Sequence, residues 1–119
     1  MRALLICGLL AAAPVFGQPS ALSATELSVT DPARQQALIR IVRQDCGSCH
    51  GMQLTGGLGP ALTREALADI PFDVVVASIV HGRPGTPMPG WKTLLSAADA
   101  TWIARQLQSG FPQEPKSRP

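Results

Sequence analysis

A chain of 119 residues is one small domain at most. Ten Lys+Arg against eight Asp+Glu leave a formal net charge of +2, which is no basic patch or stripe, so a nucleic-acid partner is excluded. Three Phe, two Trp and no Tyr allow only a modest core, and a buried prosthetic group would help to stabilise it.

Residues 1–17 read as an export signal. Arg2 supplies the positive start, ALLICGLLAAA is the apolar run, and Val15 and Gly17 have the spacing of a cleavage site. Cleavage is expected after Gly17, with Ala13 and Ala24 as rival positions. The alternative is an uncleaved membrane anchor, but the run is shorter than the roughly 18–20 apolar residues of a spanning helix. The mature form is therefore expected to carry no membrane span. Cys7 lies in the apolar run behind Ile6, lacks the lipoprotein context, and is expected to be removed. Losing Arg2 leaves nine Lys+Arg against eight Asp+Glu and a net charge near +1. Residues 18–30 read as a flexible leader, 31–111 as the folded domain and 112–119 as a Pro-rich tail.

Asp31 can cap a helix that begins at Pro32, where a missing N–H costs nothing. Ala37, Leu38, Ile41 and Val42 fall at helical spacing, with Arg34, Arg40 and Arg43 expected outward. This helix is expected to end at Asp45, directly against CGSCH at 46–50. The loop LTGGLGPALT follows. Thr63 can cap a short helix over 64–70 that Pro71 stops. In PFDVVVASIVHG the valines favour a strand, but Phe72, Val75 or Val76 and Ile79 fit a helix that stops at Gly82. No second strand-like run exists for it to pair with, so a helix is expected. The loop GRPGTPMPGW leads to SAAD at 96–99, which resembles a capping box. Trp102, Ile103 and Leu107 then form an apolar stripe, with Gly110 as C-cap. The fold class is all-α.

Two thiols and an imidazole within five residues have three readings. A redox Cys-x-x-Cys belongs in a βαβ context, which is absent from this pattern. A structural zinc needs four ligands. Beyond Cys46, Cys49 and His50 only His81 remains, and His50 is badly placed beside Cys49 to take a separate tetrahedral corner. Covalent haem uses all three residues: the thiols form thioethers with the two vinyl groups, and the adjacent His lies under the iron. One haem c is expected.

If His50 is the proximal ligand, the opposite position falls to Met52, His81, Met88 or nothing. Met52 is too near His50 to reach the other face. His81 ends a helix, where a surface imidazole is the common role. Met88 stands between Pro87 and Pro89 on a loop, a poor place for a gap-filling side chain, and is favoured; His81 and an open site remain as alternatives. The second nitrogen of His50 needs an acceptor, and the carbonyl of Pro60 in the Gly-Pro turn is the candidate.

In order and spacing, CGSCH, the GP.L of residues 59–62, the G..G..MPGW of 82–91 and the closing LL......WIA..L resemble small class I cytochromes c. The resemblance covers roughly residues 34–108. More narrowly, LTGGLGPALT and GRPGTPMPGW resemble the c-55X type found in nitrite-reduction gene clusters. The resemblance implies a class I fold of three to five helices around one covalent haem. It further implies a periplasmic, monomeric electron carrier rather than an enzyme. Its redox partner would be a cytochrome cd-type nitrite reductase or the enzymes that make its haem d. Carried over, Cys46 and Cys49 are thioether anchors, His50 and Met88 the axial ligands, and Pro60 orients His50. Many relatives hold a haem propionate with Tyr; here Arg83, Trp91 or Lys92 would do so. The competing functions are a haem enzyme or gas sensor with a displaceable sixth ligand, and an assembly protein in which haem is structural. Residues 46–63 and 84–91 carry no charge, which predicts a neutral docking face including Met52, Leu54, Leu58, Pro87 and Pro89, rimmed by Arg64, Arg83 and Lys92.

Overall fold

The structure is a computed structural model that describes residues 28–112. The expected signal, most of the leader and the tail beyond Pro112 lie outside the described residues. Helix α1 spans Pro32–Ile41, with the Asp31 carboxylate accepting from the Ala33 amide at 2.7 Å. Leu38 and Val42, four residues apart on one face, are completely buried.

The helical run does not stop at Asp45. It widens into a π-helical turn, Val42–Cys46, and continues as α2, Gly47–His50. The Gly47 amide donates to the Val42 carbonyl, five residues back, which stacks buried Gly47 above buried Val42. The stop comes at Gly51, with φ 87°, where a Cβ would lie 2.6 Å from the Gly56 oxygen. The chain turns where another backbone segment crosses it, a long-range cause that the local residues do not display.

Two of the three arginines expected outward are engaged. Arg34 pairs with Asp99 on the last helix. Arg43 donates to the Pro112 carbonyl, with its guanidinium 5.5 Å from the centroid of the Phe111 ring. Arg40 is exposed. The long stems let both engaged side chains reach partners that only the closed fold supplies.

Residues 64–70 form turns rather than the expected helix. Thr63 does act as a cap, its hydroxyl accepting from Ala66 at 3.2 Å and its carbonyl from Leu67 at 3.1 Å. The next backbone bonds, Ala68 to Glu65 and Ile70 to Leu67, span only three residues. Gln108 donates to the carbonyls of Leu67 and Ile70, at 3.3 and 2.7 Å, and so satisfies groups that have no helical partner here, since residue 71 is a proline without an N–H.

Helix α3, Phe72–His81, settles the ambiguous valine run as helix; Val75 and Ile79 are buried and Gly82, φ 71°, ends it. Helix α4, Ala97–Ser109, opens with the complete capping box of Ser96 and Asp99 and buries Ala100, Ile103, Ala104 and Leu107. Gly110, φ 96°, turns the chain so that Phe111 enters the core. Helix α3 packs on α4, and their buried faces join Leu38, Val42, Leu54, Leu67 and Leu95 in one cluster. Among the described residues there is no strand, and no helix is long and apolar enough to cross a membrane.

Candidate functional site

His50 is the last residue of α2 and is buried. Its Nδ1 lies 2.7 Å from the Pro60 carbonyl oxygen. A carbonyl can only accept, so Nδ1 carries a proton and donates it to Pro60. Nε2 has no hydrogen bond among the described residues. The expected His50–Pro60 relationship is thus present across ten residues of loop.

That loop is laid on the end of α2. The amides of Leu54, Gly56 and Gly59 donate to the carbonyls of Gly51, His50 and Cys49, each at 2.8 Å. The orphan carbonyls of the helix end are satisfied in register. Leu54 adopts φ 60°, uncommon outside glycine, and its side chain is buried. This corrects the sequence expectation that Leu54 belongs to an exposed face: the loop turns inward there and inserts Leu54 into the core. Leu58, by contrast, is 94% exposed and Met52 is 62% exposed.

Cys46 and Cys49 are free thiols in different surroundings. Cys46 is half-buried, and burial, reinforced by the Asp45 carboxylate, pushes its pKa up to about 11. Cys49 is exposed. Ser48 donates to the Asp45 carbonyl at 2.6 Å, bracing the segment between the two cysteines. Among the described residues no three His, Cys, Asp or Glu side chains form a group that could hold a metal ion. The zinc set Cys46, Cys49, His50 and His81 is therefore not assembled.

Met88 lies on the loop between α3 and α4 and is half-buried, while Pro87 and Pro89 are exposed. The loop is fastened to the end of α3 by backbone bonds. Arg83 donates to the Met88 carbonyl at 3.2 Å, Trp91 to Ile79 at 3.0 Å and Lys92 to Val80 at 3.3 Å. A Cβ on Gly82 would meet the Met88 oxygen at 2.6 Å, and one on Gly90 would meet the His81 carbonyl carbon at 2.8 Å. Thr86 closes the loop from inside, donating to the Arg83 carbonyl at 2.7 Å and accepting from the Met88 amide at 3.3 Å.

The remaining candidates divide. Trp91 is half-buried against the core, whereas Arg83, Lys92 and His81 are exposed. No hydrogen bond joins Arg83 or Trp91 to Cys46, Cys49 or His50. An open depression of about 420 Å³ on the exposed side of α3, lined by Val74, Ala77, Ser78, His81, Arg83 and Thr86, includes neither His50 nor Met88. The close approach expected at Gly85 and Gly90 is found at Gly90 and at Gly82, while a Cβ on Gly85 would meet nothing, and the packing role of Gly59 is not visible in the sequence. The GP and GW dipeptides were the available signals, but only a folded chain shows what each glycine touches.

The family described as "Cytochrome C oxidase, cbb3-type, subunit III" matches residues 33–105. Cytochrome c55X of Stutzerimonas stutzeri is 55% identical over 80 residues, covering 67% of this chain and 71% of the relative. Among solved structures, the c-type cytochrome NirC is 56% identical with a TM-score of 0.66, covering 66% of this chain and 93% of that one. A dihydro-haem d1 dehydrogenase, NirN, solved in complex with DHE, is 36% identical with a TM-score of 0.57, over 65% of this chain and only 17% of its own. The family match takes in α2, α3, both loops that carry the candidate residues and most of α1 and α4. The chain belongs to this c-type cytochrome family and, within it, to the class I cytochromes of the c55X, or NirC, type.

Proposed function

We propose that the protein is an exported, periplasmic electron carrier with one covalent haem c. Cys46 and Cys49 would hold the group through thioethers, His50 Nε2 and the Met88 sulfur would ligate its iron, and the Pro60 carbonyl holds the imidazole. Bound there, the group supplies a one-electron iron couple, with Met opposite His favouring the reduced state. The observation that carries the reading is the 2.7 Å contact from His50 Nδ1 to Pro60, which fixes the tautomer and leaves Nε2 to ligate. The donor set fits the group: two free thiols, a buried neutral imidazole and a thioether on a fastened loop.

With both axial positions filled, only an electron moves, which favours a carrier over an enzyme or gas sensor. Arg83 and Trp91 stand at the two ends of the Met88 loop, with Lys92 next to Trp91, and are the candidates for contact with the propionates. The signal read at 1–17 supports export and a mature form without a membrane span; that form is proposed to be a monomer. Likeness to the NirN dehydrogenase supports a partner within haem d1 chemistry, either a cytochrome cd-type nitrite reductase or the enzymes that make its haem d. In a host with haem-attachment machinery, intact mass should show one added haem on a chain beginning near Gln18. The reduced protein should bind carbon monoxide only slowly. Rapid, stoichiometric binding at neutral pH would overturn the carrier reading.

A further inference from the structure

Gly59 has no backbone reason to be glycine. Its φ lies outside the left-handed region, unlike that of Gly51, Gly56, Gly82, Gly85 and Gly110. A residue before proline is restricted to extended conformations that ordinary side chains adopt readily. What excludes a side chain is space. A Cβ on Gly59 would lie 2.8 Å from both Cε1 and Nδ1 of His50 and 3.3 Å from Nε2. Its three nearest neighbours are all atoms of that one ring.

We infer that Gly59 is a positioning residue for His50, acting with Pro60 as a two-part brace. Pro60 holds the ring edge through Nδ1, and the bare Cα of Gly59 sets where the ring lies. The ring cannot retreat from an added methyl group without lengthening the Nδ1 bond, because that acceptor belongs to the adjacent residue. Nor can the loop retreat easily, because the Gly59 amide is bonded to the Cys49 carbonyl at 2.8 Å and its own carbonyl to the Gly57 amide at 3.0 Å. The inference rests on the proposed function, in which His50 is an axial ligand. A stronger Nδ1–H donation makes the imidazole a more basic ligand and favours Fe(III). Weakening it through Gly59→Ala should raise the reduction potential.

Gly57 supplies a matched control. It too lies outside the left-handed region, and a Cβ there would be 2.7 Å from the Cys49 carbonyl oxygen, but its near contacts include no ring atom. The test uses holo-protein of the wild type, Gly59→Ala and Gly57→Ala, each checked for covalent haem. For Gly59→Ala the potential should move upward, and the His50 Nδ1 proton should exchange with solvent at least tenfold faster by NMR of the ferrous protein. Gly57→Ala displaces the Cys49 carbonyl but meets no ring atom, and should move both by clearly less than Gly59→Ala does. Equal shifts in the two variants, or none in Gly59→Ala, overturn the inference. If Gly59→Ala yields no holo-protein, the ferrous wild type decides. A strong nuclear Overhauser contact from Gly59 Hα to His50 Hε1 supports the brace, and its absence overturns it. A wild-type chain that takes up no haem overturns the proposed function itself, a result separate from holo-protein with an indifferent Gly59.

Discussion

Arg34 on α1 and Asp99 on α4 stand 65 residues apart in sequence and meet through two contacts, Nε to Oδ1 at 3.0 Å and a terminal nitrogen to Oδ2 at 2.5 Å. The same carboxylate accepts from the Ser96 amide at 2.9 Å. One side chain therefore caps α4 and ties it to the helix that leads into CGSCH. The bond to Arg34 is the largest influence holding the Asp99 carboxyl below the usual carboxylate range, with the Ser96 contacts adding to it. A lowered folded-state value means that the stabilisation is fully present above the ordinary Asp pKa of about 3.9 and is lost as pH falls through the lowered one. Denaturant unfolding of holo-protein should show stability falling below about pH 4.5, and Asp99→Asn should flatten that limb. At neutral pH, Asp99→Ala should cost about 2–4 kcal/mol, since cap and charged hydrogen bonds vanish together. A loss under about 0.5 kcal/mol would show that the pair is dispensable.

The C-terminal hook gives a second stability test. Phe111 is 5% exposed, and its ring lies beneath the Arg43 guanidinium in the π turn. Phe111→Ala should cost about 3 kcal/mol by emptying a core site. Its effect should be seen in the unfolding midpoint with little change in potential, because Phe111 stacks on Arg43 in the segment before Cys46.

Met88→Ala should leave the haem attached, since attachment depends on Cys46 and Cys49. The weak red-end absorption of Met-ligated Fe(III) should vanish, and carbon monoxide binding to the reduced protein should become fast. His81→Ala should do neither, as His81 is an exposed side chain at the end of α3. Absorption that survives in Met88→Ala and disappears in His81→Ala would reverse the assignment.

Docking to the redox partner should depend weakly on salt. The uncharged stretches 46–63 and 84–91 expose Met52, Leu58, Pro87 and Pro89, so little long-range steering is available. The rate with the acceptor enzyme should change less than tenfold between about 10 mM and 150 mM salt, over which the Debye length shrinks from about 30 Å to 8 Å. Leu58→Asp should slow that reaction severalfold at unchanged potential. A steep salt dependence would assign docking to Arg64, Arg83 and Lys92 instead.

Sequence alone determined the features whose cause is local. Asp31–Pro32 and Ser96–Asp99 announce helix starts because a cap and its partners lie within four residues. Gly82 and Gly110 announce helix ends for the same reason. The contact of His50 with Pro60 could be read ahead because a buried imidazole needs an acceptor for its second nitrogen, and the loop that supplies one is close in sequence. Tertiary structure decided whatever depends on a neighbour distant in sequence. The helix into CGSCH runs on to His50 because Gly56 meets Gly51. The turns of residues 64–70 are tied to the last helix where Gln108 takes the carbonyls of Leu67 and Ile70. Leu54 turns inward, Arg34 finds Asp99, and Gly59 is bare because a ring nine residues away occupies the space. Local propensity specifies how each segment begins and ends, whereas close packing specifies which atoms leave no room for others, and that is defined only once the segments meet.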